Sequence, residues 1–257
     1  MNSLQIIILQ HNTVWHNPVA NQQRFEIQLN ELSDSTKLVI LPEMWTSGFT
    51  MAPERVAETM DGTSIQWMKE MAKKHHIAIC GSLAIQEEKY FYNRFVFVHP
   101  NGRLDTYDKA HPYTPSGEEK VYRAGKQIAL IQYAGFRIRP LVCYDLRFPV
   151  FARNTDDYDL LICVANWPAA RIQAWNALLR ARAIENMAYC VGVNRTGKDN
   201  NQLTYSGGSA AYNALGDELI YMDEKQTAST FKIELDTLRQ TRKKLPFLKD
   251  QDDFTLT

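Results

Sequence analysis

Cys143 stands where an apolar run, Ile-Arg-Pro-Leu-Val, gives way to the polar stretch Tyr-Asp-Leu-Arg. A thiol at such a junction can act as a nucleophile when a neighbouring group takes its proton, because the thiolate is the reactive form. Two charged side chains occupy comparable junctions. Glu43 follows Leu-Val-Ile-Leu-Pro, and Lys109 follows Leu-Asp-Thr-Tyr-Asp. A carboxylate can relay protons, and a fixed ammonium can stabilise developing negative charge. Each residue also has an ordinary alternative. Free cysteines are usually small buried hydrophobes, which suits Cys163 and Cys190, and most Glu and Lys are solvated surface groups. A Cys–His pair with His111 or His75 as base is a further arrangement open to these residue types.

Groups of this kind need a rigid frame, and open α/β sheets supply one at their strand ends. Short apolar runs of strand length recur at 4–10, 37–42, 77–85, 94–100, 128–133, 138–143, 160–166, 189–195 and 229–235. Helical spacing is found over 18–32, over 63–74 with Thr63 or Ser64 as cap, and over 171–188. Pro100-Asn101-Gly102 predicts a hairpin between 96–99 and 104–108. Apolar strands alternating with helices, joined by hairpins, make a mixed-sheet α/β domain without an internal linker or repeat. The segment 239–257 is charged and shows no periodic face. It reads as a solvated tail, or through Leu245, Phe247, Leu248 and Phe254 as one that packs on a partner subunit.

Composition narrows the function classes. Lys and Arg together number 29, as do Asp and Glu, so the formal net charge is zero. Nucleic-acid binders ordinarily carry a basic excess, so that class is disfavoured. Four cysteines without a CxxC pair argue against a disulfide scaffold. The first residues have no basic region, and their apolar run is too short for a signal peptide or membrane span, so a cytoplasmic protein is expected. HExxH, GxSxG, P-loop and GxGxxG patterns are all absent, so no metal site is expected.

The three strand ends, taken in order, resemble the catalytic Glu, Lys and Cys of the nitrilase superfamily of carbon–nitrogen hydrolases. The matching motifs are Leu-Pro-Glu43, Tyr-Asp-Lys109-Ala-His and Leu-Val-Cys143-Tyr-Asp-Leu-Arg-Phe-Pro. Val-Ala-Asn166-Trp167-Pro, Ala181-Arg182-Ala-Ile-Glu185-Asn186 and Val-Asn194-Arg-Thr-Gly extend the resemblance over about residues 4 to 235. Within the superfamily the chain is most similar to the bacterial ω-amidases, through Pro-Glu43-Met-Trp-Thr-Ser-Gly-Phe and Asn166-Trp-Pro-Ala with Trp175 downstream. It departs from them at Pro112-Tyr113 and at Gly208, both of which bear on pocket shape.

The resemblance implies a four-layer α-β-β-α sandwich over 1–238. It also implies a homodimer formed through helix faces, with the extension 239–257 at the interface. The reaction it implies is hydrolysis of the side-chain amide of 2-oxoglutaramate or 2-oxosuccinamate, with Cys143 as nucleophile, Glu43 as general base and Lys109 as oxyanion cation. Glu118 aligns with the family's second glutamate, and Glu119 is its neighbour. The backbone N–H of Tyr144 would be a second oxyanion donor. No metal or organic cofactor is implied. Arg147 is the candidate cation for a substrate carboxylate, its alternative being an ion pair with Asp145. Trp45, Phe49 and Trp167 are candidate pocket walls. Arg182 and Glu185 have the spacing of a structural pair. A deaminated-glutathione or other carbamoyl amidase, and a non-catalytic binding or assembly member, are the competing readings.

Overall fold

Along the first strand, β1 (Ser3–Leu9), Leu4, Ile6 and Ile8 enter one hydrophobic layer while Ile7 and Leu9 enter another. The side chains of a strand alternate, so an unbroken apolar run means that both faces of the sheet are covered. The computed structural model describes residues 3–33 and 35–255. After β1 come α1 (Pro18–Leu29), β2 (Leu38–Ile40), α2 (Thr63–His75), β3 (Ala78–Glu87), β4 (Tyr90–Val98) and β5 (Leu104–Asp108). The second half supplies β6 (Ile131–Tyr133), β7 (Phe136–Val142), the short α3 (Pro149–Ala152), β8 (Leu160–Val164), α4 (Ile172–Glu185) and β9 (Tyr189–Val193). It ends with β10 (Thr196–Lys198), β11 (Thr204–Ser206), β12 (Ala210–Tyr212), β13 (Glu218–Tyr221), β14 (Ala228–Glu234) and α5 (Leu235–Lys244).

Two six-stranded sheets result, ordered β14-β1-β2-β3-β4-β5 and β13-β12-β9-β8-β7-β6, with β10 and β11 as a separate hairpin. Each sheet has a parallel centre, β1-β2-β3 in one and β7-β8-β9 in the other, with antiparallel flanks. The sheets pack face to face through Ile6, Ile40, Phe95, Val142, Ile162 and Val191. Phe25 and Leu29 of α1, with Ile65 and Met68 of α2, cover the outer face of the first sheet. Trp175, Leu179 and Ala183 of α4 cover Leu161, Cys163 and Cys190 of the second. The architecture is a four-layer α-β-β-α sandwich, as the resemblance implies. No helix among the described residues is long and apolar enough to cross a membrane.

The β4–β5 hairpin turns at Gly102, whose φ of +83° is costly for a side-chain-bearing residue. Two expectations change. Neither Thr63 nor Ser64 caps α2; Gly62 is the cap residue, and the Glu58 carboxylate accepts the Ser64 N–H at 2.8 Å. The segment 239–257 does not begin as an irregular tail, because α5 runs across position 239. Leu235 and Leu238 bury one face of that helix. Arg242 closes its end by donating to Met187 O at 2.7 Å and Asp159 Oδ1 at 3.2 Å.

Candidate active site

Glu43, Lys109 and Cys143 arrive from three separate strand ends and line one cavity of about 270 Å³. Glu43 lies just past β2, Lys109 directly follows β5, and Cys143 directly follows β7. The three come from both sheets, so the site exists only where the sheets face each other.

Cys143 opens a 3-10 turn over Cys143–Arg147 with φ of +47°, a left-handed conformation that costs an L-residue about 1–2 kcal/mol. That turn lifts the side chain off the strand and towards the cavity. It also places the Tyr144 amide in the first turn of a helix, where backbone N–H groups have no intrahelical acceptor. Asp145 braces the turn from beneath. Its fully buried carboxylate accepts from the Val142 N–H at 2.9 Å, the Tyr107 hydroxyl at 2.7 Å and the His111 N–H at 2.9 Å. One carboxylate therefore ties the nucleophile turn to the β5 end that carries Lys109. Arg182 secures the other side, donating to Leu146 O at 2.7 Å and pairing with Glu185 at 2.8 Å, as the helical spacing predicts.

Glu43 is fully buried and held at every oxygen. Its Oε1 accepts from Asn93 Nδ2 at 2.7 Å and Lys109 Nζ at 3.1 Å, and its Oε2 accepts from the Asn166 N–H at 2.7 Å. Asn166 Nδ2 also donates to the Glu43 backbone carbonyl at 2.7 Å. Lys109 Nζ reaches both oxygens of Glu118, at 2.8 and 3.0 Å, and stands 5.3 Å from the centre of the Phe49 ring. Of the two neighbouring glutamates it is Glu118 that meets Lys109 and is fully buried, whereas Glu119 is exposed.

Electrostatics follow from this crowding. Burial alone would lower the Lys109 pKa, but Glu118 and Glu43 outweigh it and hold the ammonium well above its ordinary range. Burial pushes the Glu118 carboxyl up; Lys109 pulls it back, and Glu43 adds to the rise. The Cys143 thiol is pushed well up, first by burial and then by the Glu43 charge, with Lys109 opposing. A thiol pushed up in this way would need a base to act as a nucleophile.

Tyr144, Arg147, Phe49 and Trp167 line the cavity as expected. Trp45 does not. It lies in the layer between the first sheet and its helices, 5.6 Å from the Phe25 ring and 5.2 Å from the Trp67 ring. The turn after Glu43, with Met44 at φ +42°, carries the chain away from the cavity before Trp45. Arg147 does not pair with Asp145, whose oxygens are taken; its guanidinium lies 4.8 Å over the Trp167 ring. His111 Nδ1 donates to Asp145 Oδ1 at 2.8 Å and the ring stacks on Phe148 at 3.8 Å, and His75 lies in α2. Neither histidine lines the cavity.

The sequence pointed to no role for Asn93 or Arg171, and to Tyr113 only as a departure bearing on pocket shape. Asn93 carried a readable signal: it shares strand parity with Phe95 and Phe97, and so faces the gap between the sheets. Tyr113 lines the cavity, and its N–H donates to Glu118 Oε2, so the Pro112-Tyr113 departure does bear on pocket shape. Gly208, with φ of +76°, presents its carbonyl to Trp175 Nε1 at 2.7 Å and lies outside the cavity lining.

Comparison with known proteins agrees with this geometry. The family model for carbon-nitrogen hydrolase matches residues 6–243. The chain is 42% identical over 257 residues, the full length of both proteins, to omega-amidase YafV of Escherichia coli K12. It is 30% identical over 250 residues to 2-oxoglutaramate amidase of Bacillus subtilis 168, covering 95% of this chain and 96% of that one. Among solved structures, XC1258 of Xanthomonas campestris, a CN-hydrolase superfamily protein with an arsenic adduct in its active site, superposes with a TM-score of 0.97. It is 41% identical over the whole of both chains. With Glu43, Lys109 and Cys143 gathered on one cavity of a four-layer sandwich and a family match over most of its length, the chain belongs to the carbon–nitrogen hydrolase family.

Proposed function

We propose that this amidohydrolase is an ω-amidase, which hydrolyses the terminal amide of a 2-oxo dicarboxylate monoamide such as 2-oxoglutaramate or 2-oxosuccinamate through a thioester on Cys143. The observation that carries the reading is that Cys143, Glu43 and Lys109 share one cavity with the cation of Arg147, which meets no carboxylate among the described residues. The relatives named for omega-amidase and 2-oxoglutaramate amidase activity support it.

Amide hydrolysis by a protonated thiol requires proton transfer coupled to attack. Glu43 accepts the Cys143 proton as Sγ forms its bond to the amide carbon. The carbonyl oxygen gains charge facing Lys109 Nζ and the Tyr144 N–H, and each such donor is worth about 10²–10³ in rate. Glu43 returns the proton to nitrogen, the C–N bond breaks and ammonia leaves. Water then attacks the thioester while Glu43 takes its proton, the C–S bond breaks, and the thiol is re-formed. Asn93 and Asn166 keep both Glu43 oxygens aimed throughout, which restricts the base to one geometry.

A panel measuring ammonia release from 2-oxoglutaramate, 2-oxosuccinamate, deaminated glutathione and glutamine tests the substrate. Highest kcat/KM on one of the first two is expected; a clear preference for deaminated glutathione or glutamine would overturn the reading. Hydroxylamine added during turnover should yield the hydroxamate of the acyl group, the product expected of a thioester.

A further inference from the structure

Arg171 is the second guanidinium of the cavity wall, and no acid among the described residues pairs with it. It lies 5.4 Å over the Tyr113 ring, as Arg147 lies 4.8 Å over Trp167. No carboxylate stands within ion-pair distance of either guanidinium among the described residues. The nearby acids are committed: Glu43 and Glu118 to Lys109, Asp145 to Tyr107 and His111. Elsewhere Arg94 is met by Asp108, Arg139 by Asp156 and Arg242 by Asp159, while the fully buried Arg195 donates to the carbonyls of Thr13 and Thr196, and Arg153 to that of Glu185. Arg147 and Arg171 thus bring two guanidinium groups to one cavity wall, and neither meets a carboxylate among the described residues.

The two arginines are also mechanically joined. Trp167 carries Arg147 on its face, and its Nε1 donates to the Arg171 carbonyl at 2.8 Å. Arg171 is the residue from which α4 starts, so its backbone is fixed by the helix as well. A guanidinium stacked on an aromatic ring keeps its N–H edge free for planar acceptors.

We propose that Arg171 is a specificity-determining residue which, together with Arg147, grips the 2-oxo carboxylate end of the substrate and disfavours the 2-amino analogue. The inference rests on the ω-amidase reading and extends it to a residue outside the catalytic set. A 2-oxo carboxylate offers coplanar oxygens to two guanidinium forks. The α-ammonium of glutamine would instead meet two cations, and the acids of the cavity that could offset them are already held by Lys109.

The test compares Arg171→Met and Arg171→Lys with the unsubstituted enzyme on 2-oxoglutaramate and on pentanamide, a neutral amide of the same chain length. Loss of a charge-assisted clamp should lower the 2-oxoglutaramate-to-pentanamide ratio of kcat/KM about tenfold or more in Arg171→Met, mostly through KM. The Lys variant should recover part of that ratio. An unchanged ratio, with both substrates affected alike, would mean that Arg171 acts only on structure and would overturn the proposal. Failure of the underlying reading looks different. If the unsubstituted enzyme ignores 2-oxoglutaramate but hydrolyses succinamate, the ω-amidase assignment falls, and the succinamate-to-butyramide ratio in the same variants tests the clamp independently.

Discussion

Lys109 Nζ meets Glu118 at both carboxylate oxygens, 2.8 and 3.0 Å away, while reaching Glu43 through only one, at 3.1 Å. Glu118 is therefore the residue that holds the ammonium most closely, which on the proposed mechanism leaves Glu43 as the base for Cys143. Glu118→Gln keeps the volume but loses one charged acceptor. It should lower kcat about 10–100-fold with little change in thermal midpoint, as misplacing a catalytic group by a fraction of an ångström does. Lys109→Met removes the cation that pairs with two buried carboxylates and should cost about 3–5 kcal/mol in urea unfolding. If Glu118→Gln keeps full kcat, the positioning role is wrong.

Cys143→Ala should release no ammonia from any amide while remaining folded. The left-handed φ at this position adds a stability comparison. Cys143→Gly should be more stable than Cys143→Ala by about 1 kcal/mol in denaturant unfolding, because glycine accepts positive φ without strain. Equal stabilities would show that the turn relaxes once the thiol is gone.

Glu43→Gln should abolish turnover and at the same time make the Cys143 thiol more acidic. Burial raises that thiol first and the Glu43 charge second, while Lys109 opposes both. Replacing the carboxylate with a neutral amide removes the second contribution and leaves Lys109 in place, so the thiolate appears at lower pH than in the unsubstituted enzyme. Mass-spectrometric alkylation of Cys143 across pH should show its midpoint moving down. An upward move would contradict the charge coupling.

His111→Ala should retain substantial activity, since the imidazole contacts Asp145 and Phe148 rather than the cavity. Asp145→Ala is the harsher change. It leaves the Tyr107 hydroxyl and the Val142 and His111 amides without their acceptor, and each orphaned buried donor costs about 1–3 kcal/mol. Loss of all activity in His111→Ala would revive a Cys–His pair.

Trp45→Phe should lower stability by about 1–3 kcal/mol and leave KM for the amide unchanged, because the indole packs on Phe25 and Trp67 rather than on substrate. A raised KM with unaltered stability would return Trp45 to the pocket wall.

Much of this molecule was legible from one sequence. Strand alternation and helical spacing are local properties, so the runs around β1, β7, β8 and α4 were readable without contacts, as was the placement of Glu43, Lys109 and Cys143 at strand ends. Motif order then led from those ends to one chemistry. What local pattern could not express is which way a turn sends the chain. Trp45 leaves the cavity because Met44 bends left-handed, and α5 runs through 239 because Leu235 and Leu238 find apolar partners in the sandwich. The choice of Glu118 over Glu119, the seating of Arg147 on Trp167 and the cavity role of Arg171 depend on tertiary packing. So do contacts that span 66 positions between Lys109 and Glu43 and 123 between Asn166 and Glu43. Periodicity along the chain carries no information about those partners, because they meet only when the two sheets close on each other.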